Sequence, residues 1–214
     1  MFLVGELMEV YLLRHGQTIM NEQHTLQGQS NSDLNAAGIR QAQQVRQKIE
    51  ERGLTFQRIY CSPLHRTVQT CRIATGKDET EFFLDDRLKE VALGDLEGVR
   101  FDSLDPELSK EFMRKPFDFT PQGNGETMQQ VVDRAGAFLE DLKKSENDDT
   151  VLVVSHGGTL HAMLYYLLDK PQETFWLPWI DNCALIHLTL YNGQWLVEEQ
   201  YRKVEISESI DRII

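Results

Sequence analysis

Short apolar runs alternate along this chain with longer stretches in which apolar residues recur every three or four positions. Residues 10–13 form an uninterrupted apolar run, which is typical of a strand buried on both faces of a parallel sheet. From Asn35 to Arg52 the apolar side chains fall on one face of a helix that Gly53 closes. This pairing recurs along the chain, so the sequence predicts an α/β fold with a mostly parallel sheet flanked by helices.

Capping and turn residues mark the ends of the other predicted elements. Ser62 and Pro63 predict the start of a helix, through an N-cap and a first-turn proline. Asn192 and Gly193 separate two strand-like runs and predict an antiparallel C-terminal hairpin at the edge of the sheet. The remaining predictions are strands at 58–62, 81–84 and 151–154, helices at 63–74, 125–144 and 158–170, and the hairpin over 183–201.

A length of 214 residues suits one sizeable core, so a single domain over residues 1–214 is predicted. Residues 95–124 are the least regular segment, because three prolines interrupt them and four phenylalanines are spread among polar residues. That much aromatic surface indicates a packed lid or insertion and not a flexible linker, with the rings more often in the core than against a substrate. The residues concerned are Pro106, Pro116, Pro121, Phe101, Phe112, Phe117 and Phe119.

The composition excludes several classes of function and location. A formal net charge of −12 disfavours nucleic-acid and anionic-membrane partners, since the long-range field repels polyanions. No segment approaches the length of a membrane span, and Glu6 and Glu9 interrupt an apolar opening that lacks the basic start of a signal peptide. Cys61, Cys71 and Cys183 form no disulfide or zinc pattern, so a reducing cytoplasm is expected.

Polar residues follow four candidate strands at the points where those strands end. In an open α/β sheet ligands bind beyond the carboxyl ends of the strands, so these residues are candidates for one site. Two arginines, two histidines and one carboxylate would form a small cationic basin that suits a phosphate group. The candidates are Arg14, His15 and Gly16; Ser62 with Arg66 one helical turn later; Glu90; and Ser155, His156 and Gly157.

Imidazole can take a phosphoryl group covalently, which makes His15 a candidate nucleophile. Neighbouring cations disfavour its protonated form, and a backbone carbonyl can fix the tautomer through the second ring nitrogen. No metal is expected, because His156 and His161 are five residues apart, which does not suit adjacent ligands on a helix face.

Six ordered motifs resemble the histidine phosphatase superfamily, in its phosphoglycerate mutase-like branch. They span nearly the whole chain, and four of them in suitable strand and helix contexts make a specific match. The resemblance implies a three-layer sandwich fold with one domain. The motifs are RHGQT at 14–18, Asn21, SPLHRTVQT at 62–70 with Arg66, Glu90, GET at 125–127 and SHGG at 155–158.

The resemblance also implies a role for each matching residue. His15 would attack phosphorus and become a phosphohistidine, and Glu90 would protonate the leaving oxygen and later deprotonate the attacking water. Arg14, Arg66 and His156 would bind the equatorial phosphate oxygens. The remaining phosphate- and substrate-binding positions are Asn21, Gln27, Gly28 and Gly157.

The implied activity is that of a metal-independent phosphomonoesterase acting on a small phosphorylated metabolite, with no cofactor. A phosphoglycerate mutase of this branch would carry arginine directly after the catalytic glutamate, where this chain has Val91 and Ala92. A noncatalytic phospholigand-binding protein is the third alternative, although such proteins usually lose the nucleophile or the acid. The edge hairpin is the expected contact if two copies form a homodimer. Basic residues that could replace the missing mutase arginine are Arg100, Arg114 and Lys115.

Glu126 has two interpretations, and four histidines are expected to have no role in the site. Glu126 either orients an arginine near the site or occupies the first turn of a helix, where acidic residues are favoured. The other histidines are expected to be ordinary loop, helix-face or edge-strand residues: His24, His65, His161 and His187.

Overall fold

The computed structural model describes residues 7–145 and 149–202. Its strands are β1 (Leu7–Arg14), β2 (Arg58–Cys61), β3 (Phe83–Leu84), β4 (Thr150–Ser155), β5 (Leu185–Tyr191) and β6 (Gln194–Val197). Its helices are α1 (Ile19–Glu22), α2 (Ala36–Glu51), α3 (His65–Thr75), α4 (Pro106–Arg114), α5 (Met128–Lys143), α6 (Gly157–Leu168) and α7 (Glu199–Arg202).

All six strands belong to one sheet in the order β3-β2-β4-β1-β5-β6. Strand β4 lies between β1 and β2 and runs parallel to both, and β3 runs parallel to β2. Strand β5 is antiparallel to β1, and β6 is antiparallel to β5. The predicted α/β class, with a mostly parallel sheet and an antiparallel C-terminal edge hairpin, is confirmed.

Helices cover both faces of the sheet, which explains why β1 and β4 are apolar without alternation. On one face Val45 of α2 and Cys71 of α3 pack in the same buried cluster as Leu13 of β1. On the other face Phe138 of α5 and Leu160 of α6 pack in a cluster with the sheet. The strands are therefore held with their carboxyl ends fixed at one edge of a two-sided core.

Several predicted boundaries differ from the observed ones, and three of them are set by local contacts. Helix α3 begins at His65 after Leu64, and the Ser62 hydroxyl that was predicted to cap it accepts from the N–H of Leu64 at 3.4 Å and also lies 2.7 Å from His156 Nε2. The third strand contains only residues 83–84, since a 3₁₀ turn occupies 79–81. Helix α5 begins at Met128, where the Thr127 side chain accepts from the N–H of Gln130.

The segment 95–124 packs against the domain through its aromatic side chains and contains helix α4. Phe112 and Phe119 meet at a centroid distance of 5.1 Å, and Phe112 lies 5.2 Å from the Trp176 ring. Phe117 lies 4.8 Å from the ring of Tyr165 on α6. These contacts give the segment a fixed position beside the carboxyl ends of the strands.

Some predictions depend on residues outside the described part of the chain. The expectation of no signal peptide rests partly on residues 1–6, and the single domain over 1–214 includes both undescribed ends and residues 146–148. Both stay predictions. Across residues 7–145 and 149–202, no helix combines the length and apolarity needed to cross a bilayer.

Candidate active site

The parallel pairing of β1 with β4 brings the two histidine motifs together. Arg14 and Ser155 are register partners at the ends of these strands, so the next residues, His15 and His156, leave the sheet side by side. Their ring centroids are 5.2 Å apart. The ends of β1 and β4 therefore meet at one edge of the sheet.

Hydrogen bonding gives the two nitrogens of His15 different roles. Its Nδ1 lies 2.7 Å from the carbonyl oxygen of Gly16, which can only accept, so Nδ1 carries the proton. The N–H of Gly16 in turn donates to Thr70 Oγ1 at 2.9 Å, which fixes this turn. Nε2 is left with its lone pair, as an attacking nitrogen requires.

The surroundings of His15 keep its imidazole neutral. The side chain is buried, and burial is the largest cause that lowers its pKa well below the ordinary value. The positive charges of Arg66 and then Arg14 lower this pKa further, while the backbone hydrogen bond with Gly16 acts in the opposite direction. Neutral pH therefore leaves the Nε2 lone pair available.

Arg66 is fully buried and anchored on three sides. Its Nε donates to His156 Nδ1 at 3.2 Å, and its two Nη atoms donate to the carbonyls of Ser30 at 2.8 Å and Gly28 at 2.7 Å. Burial lowers its pKa to about 10, which still leaves a cation at neutral pH. Since a guanidinium has five N–H groups, these bonds within the described chain leave two for an oxyanion.

His156 supports Arg66 and does not line the cavity in this arrangement. Its Nδ1 accepts from Arg66, and its Nε2 lies 2.7 Å from Ser62 Oγ, so both ring nitrogens are engaged with protein groups. Burial and then the charge of Arg66 hold the pKa of His156 well below its usual value. Direct contact between His156 and phosphate oxygens stays a prediction, since it requires one of these bonds to change.

Arg14 closes the other side of the cationic basin. Its Nη1 donates to the Ile180 carbonyl at 2.5 Å, and its guanidinium lies 5.6 Å from the ring centre of Trp179. Its Nε is buried with no hydrogen-bond partner in the described chain. Burial lowers the pKa of Arg14, and the nearby Glu90 is the largest opposing influence.

Glu90 lies at the N-terminus of α6. Its Oε1 accepts from the N–H groups of Val91 at 3.0 Å and Thr159 at 3.2 Å, and its Oε2 accepts from Gly158 at 3.2 Å. These donors hold the carboxyl group in one orientation beside the cavity. Gly158 is required here, because a Cβ at that position would lie 2.6 Å from Glu90 Oε1.

A partly buried ion pair holds the backbone around Glu90. Glu126 contacts Arg134 through both carboxylate oxygens, at 2.8 and 3.1 Å, and accepts from the N–H of Ala92 at 2.9 Å. Arg134 donates to the carbonyls of Arg87 and Glu90 at 2.6 and 3.1 Å. Of the two interpretations of Glu126, the structure favours the one in which it orients an arginine, and α5 begins two residues later.

The remaining predicted binding residues line the cavity with Arg14, His15, Arg66 and Glu90. Asn21 Oδ1 accepts from the N–H of Thr18 at 3.2 Å, and Gln27 Oε1 accepts from the Thr18 hydroxyl at 2.9 Å. Gly28 has a φ of 51°, a conformation that favours glycine, and turns its carbonyl toward Arg66. The binding residues predicted from the sequence that line the cavity are, in addition, Asn21, Gln27, Gly28 and Gly157.

Sequence reasoning missed the aromatic part of this cavity, whose volume is about 170 Å³. His161, predicted to be an ordinary helix residue, is buried and lines the cavity, so that prediction is wrong. Its spacing of four residues from Gly157 was the available signal, because such residues share a helix face. The other missed lining residues are Thr25, Leu26, Leu93, Phe112, Trp176 and Trp179.

Metal ligands do not cluster in the described part of the chain. No group of three histidine, cysteine or carboxylate side chains is arranged there to hold an ion.

Comparisons with known proteins identify the family of this chain. Residues 10–202 match the model of the histidine phosphatase superfamily, branch 1. A probable phosphoglycerate mutase, GpmB, of Proteus mirabilis is 34% identical over 194 residues, which cover 89% of this chain and 88% of that protein.

Solved structures of similar proteins share the fold. YhfR of Bacillus stearothermophilus has a TM-score of 0.82 and 28% identity, covering 92% of this chain and 98% of that one. A phosphoserine phosphatase mutant of Entamoeba histolytica, in complex with phosphoserine, has a TM-score of 0.78 and 26% identity. The aligned part covers 90% of this chain and 95% of the phosphoserine phosphatase.

Proposed function

Because this chain belongs to the histidine phosphatase superfamily, we propose that it is a phosphomonoesterase that uses His15 as a covalent nucleophile and needs no metal. The observation that carries the proposal is the hydrogen bond from His15 Nδ1 to the Gly16 carbonyl. It leaves a neutral imidazole with a free Nε2 lone pair in a cavity that Arg14 and Arg66 make cationic. A small phosphorylated metabolite is the substrate.

The first chemical step forms a phosphohistidine. Nε2 of His15 attacks the phosphorus atom, a P–N bond forms, and the bond from phosphorus to the ester oxygen breaks. The leaving oxygen takes a proton from the Glu90 carboxyl group, which becomes a carboxylate. Arg14 and the free N–H groups of Arg66 stabilise the charge on the transferring phosphoryl oxygens.

The second step restores the enzyme. The Glu90 carboxylate takes a proton from a water molecule, whose oxygen attacks phosphorus while the P–N bond breaks. Inorganic phosphate leaves, and His15 regains its lone pair. Three backbone N–H groups hold Glu90 in place in both steps, and this fixed position supports its double role.

The name of the curated relative supports phosphoglycerate mutase as a second candidate. A mutase must hold a second anionic group, yet Arg14 and Arg66 are the basic side chains that line the described cavity. Arg100 does not line it and forms an exposed ion pair with Asp102. These observations favour hydrolysis over interconversion.

Phosphate release and product identity test the proposal together. With EDTA present, the protein is expected to release phosphate from p-nitrophenyl phosphate, and His15→Ala should lower kcat at least about a thousandfold. His65→Ala is the matched control, because that side chain is 69% exposed. Formation of 2-phosphoglycerate from 3-phosphoglycerate without phosphate release would support the mutase, and ligand binding without any turnover would support a noncatalytic protein.

A further inference from the structure

The lining of the cavity has two chemically different parts, which adjoin where the Arg14 guanidinium lies 5.6 Å from the Trp179 ring centre. The phosphate end contains Arg14, His15 and Glu90. The apolar end consists of aromatic and aliphatic side chains, a surface that suits an organic leaving group. This wall, called here the aromatic wall, consists of Leu26, Leu93, Phe112, Trp176 and Trp179.

The aromatic wall is assembled from two parts of the chain that fix each other. Phe112 belongs to α4, and Trp176 belongs to the segment after α6. The Trp176 Nε1–H donates to the Phe112 carbonyl at 3.0 Å, and the two rings are 5.2 Å apart. The wall is thus a built surface beside the phosphate end.

One polar side chain is embedded in this apolar end. His161 has 2% of its surface exposed, and its ring lies 5.5 Å from that of Trp176 and 6.5 Å from that of Trp179. Its Nδ1 has no hydrogen-bond partner in the described chain. Buried polar atoms are almost always paired, so an unpaired one that belongs to a cavity wall points to a ligand.

The Nε of Arg14, whose guanidinium lies 5.6 Å from the ring centre of Trp179, has the same property. Two cavity-lining side chains therefore each retain a buried polar atom without a partner in the described chain, and both side chains lie near the Trp179 ring.

His161 is also uncharged. Burial, with smaller contributions from the positive charges of Arg14 and Lys170, lowers its pKa to about 3, while a backbone contact with Phe175 acts in the opposite direction. A neutral imidazole offers one N–H donor and one acceptor and gives no net attraction to a carboxylate or a second phosphate. Its chemistry therefore suits an uncharged polar group.

We propose that His161 determines leaving-group specificity by hydrogen bonding, through Nδ1, to an uncharged hydroxyl, carbonyl or amide group on an aromatic or apolar leaving group. This inference rests on the proposed phosphomonoesterase activity. The leaving group packs against the aromatic wall. Because Nδ1 is covered by neighbouring atoms, this hydrogen bond requires a side-chain rearrangement when the ligand enters; the nearby Trp179 ring is 47% exposed.

A matched set of substrates tests this specificity. The substrates are phenyl phosphate and its ortho-, meta- and para-hydroxyl derivatives, with 3-phosphoglycerate as the charged competitor. Wild-type kcat/KM for one of the hydroxyl isomers is expected to exceed that for phenyl phosphate by roughly three- to tenfold, the effect of one hydrogen bond. All aryl esters should exceed 3-phosphoglycerate.

Variants at His161 separate the hydrogen bond from packing. His161→Leu should bring the ratio of the preferred hydroxyl isomer to phenyl phosphate close to one. His161→Asn places a polar atom near the position of Nδ1 and should retain part of the preference. His187→Leu is the control substitution on β5, away from the cavity, and should leave the ratio unchanged.

The possible outcomes distinguish the role of His161 from the phosphatase activity itself. A ratio that His161→Leu does not change, or a wild-type preference for 3-phosphoglycerate, overturns the role of His161 while phosphatase activity stands. If His161→Leu fails to fold, the ratio measured for His161→Asn carries the test, and a wild-type ratio near one for every hydroxyl isomer overturns the role of His161 without any variant. Absence of phosphate release from every ester refutes the proposed function and this inference with it.

Discussion

His15 and His156 lie side by side, yet their hydrogen bonds select opposite tautomers. His15 donates from Nδ1 to a carbonyl and keeps Nε2 bare. His156 accepts from Arg66 at Nδ1, so in its neutral form Nε2 carries the proton and donates to Ser62. One ring is thereby arranged to attack, and the other is arranged to position a cation.

Gly158 provides a residue-scale test of the Glu90 assignment. In Gly158→Ala the new Cβ would lie 2.6 Å from Glu90 Oε1 and 2.7 Å from a methyl carbon of Val91, so the carboxyl group must move. We expect kcat to fall at least about tenfold, because misplaced catalytic groups lose the benefit of orientation. Steady-state kinetics with p-nitrophenyl phosphate, alongside thermal unfolding, measure this. A kcat within twofold of wild type in a folded variant would contradict the assignment.

The residues of the phosphate end were predictable from sequence because each follows a locally recognisable strand or begins a helix. The environment of His161 was not predictable, because its ring is packed against Phe175 and Trp176, which come from the segment after α6 and not from its own helix. For Ser62 the sequence predicted only a helix cap, whereas its hydroxyl also bonds to His156 besides accepting from the N–H of Leu64. Local periodicity cannot distinguish these uses of a polar atom.

At the scale of elements, parallel strands β1, β2 and β4 bring the motif residues to one edge, and α5 and α6 hold the acid. Continuous apolar runs identified these strands correctly, since both of their faces are covered. The two-residue β3 and the exact start of α3 escaped prediction because 3₁₀ turns and side-chain hydrogen bonds, not periodicity, set those limits.

The ion pair between α5 and the Glu90 segment gives an element-scale prediction. Arg134→Leu removes two hydrogen bonds to backbone carbonyls. It also leaves the Glu126 carboxylate without its cationic partner. We expect kcat to fall about tenfold or more and the protein to lose about 2 kcal/mol of stability, since the substitution removes one partner of a partly buried pair and the donor of two carbonyl hydrogen bonds.

Arg46→Leu is the matched control for Arg134→Leu. Its ion pair with Glu50 is exposed, at 51% and 62%, and contributes little. Kinetics and urea unfolding of both variants measure the contrast. Equal effects of the two substitutions would show that the pair of Glu126 with Arg134 does not position the site.

At the scale of the whole molecule, a protein of net charge −12 keeps a cationic basin within its fold. Arg14 and Arg66 are held by backbone carbonyls and lie deep in the cavity, where the surface field is less important than local hydrogen bonds. We therefore expect a small anion to bind locally, while the long-range field is expected to repel extended polyanions.

Three buried histidines predict how stability depends on pH. The pKa values of His15 and His156 lie well below 6.5, and that of His161 is about 3. The unfolded chain protonates these rings near pH 6.5 while the folded chain does not, so it binds more protons below that pH. Stability is therefore fully present above pH 6.5 and falls as the pH drops, by about 4 kcal/mol in total between pH 7.5 and 5.5.

Urea unfolding at these two pH values checks the prediction. His161→Leu should reduce the loss by about a third, because one of the three rings no longer titrates in the unfolded chain. Equal stability of the wild type at pH 7.5 and 5.5 would show that these histidines are not buried in the neutral form.

The most direct measurement of the central claim is the site of covalent phosphate during turnover. Wild-type protein mixed rapidly with a phosphomonoester, quenched in alkali and digested should yield a peptide with phosphate on His15, and His15→Asn should yield none. Phosphate on another residue, or rapid turnover with no phosphoenzyme and an undiminished rate in His15→Asn, would contradict the account.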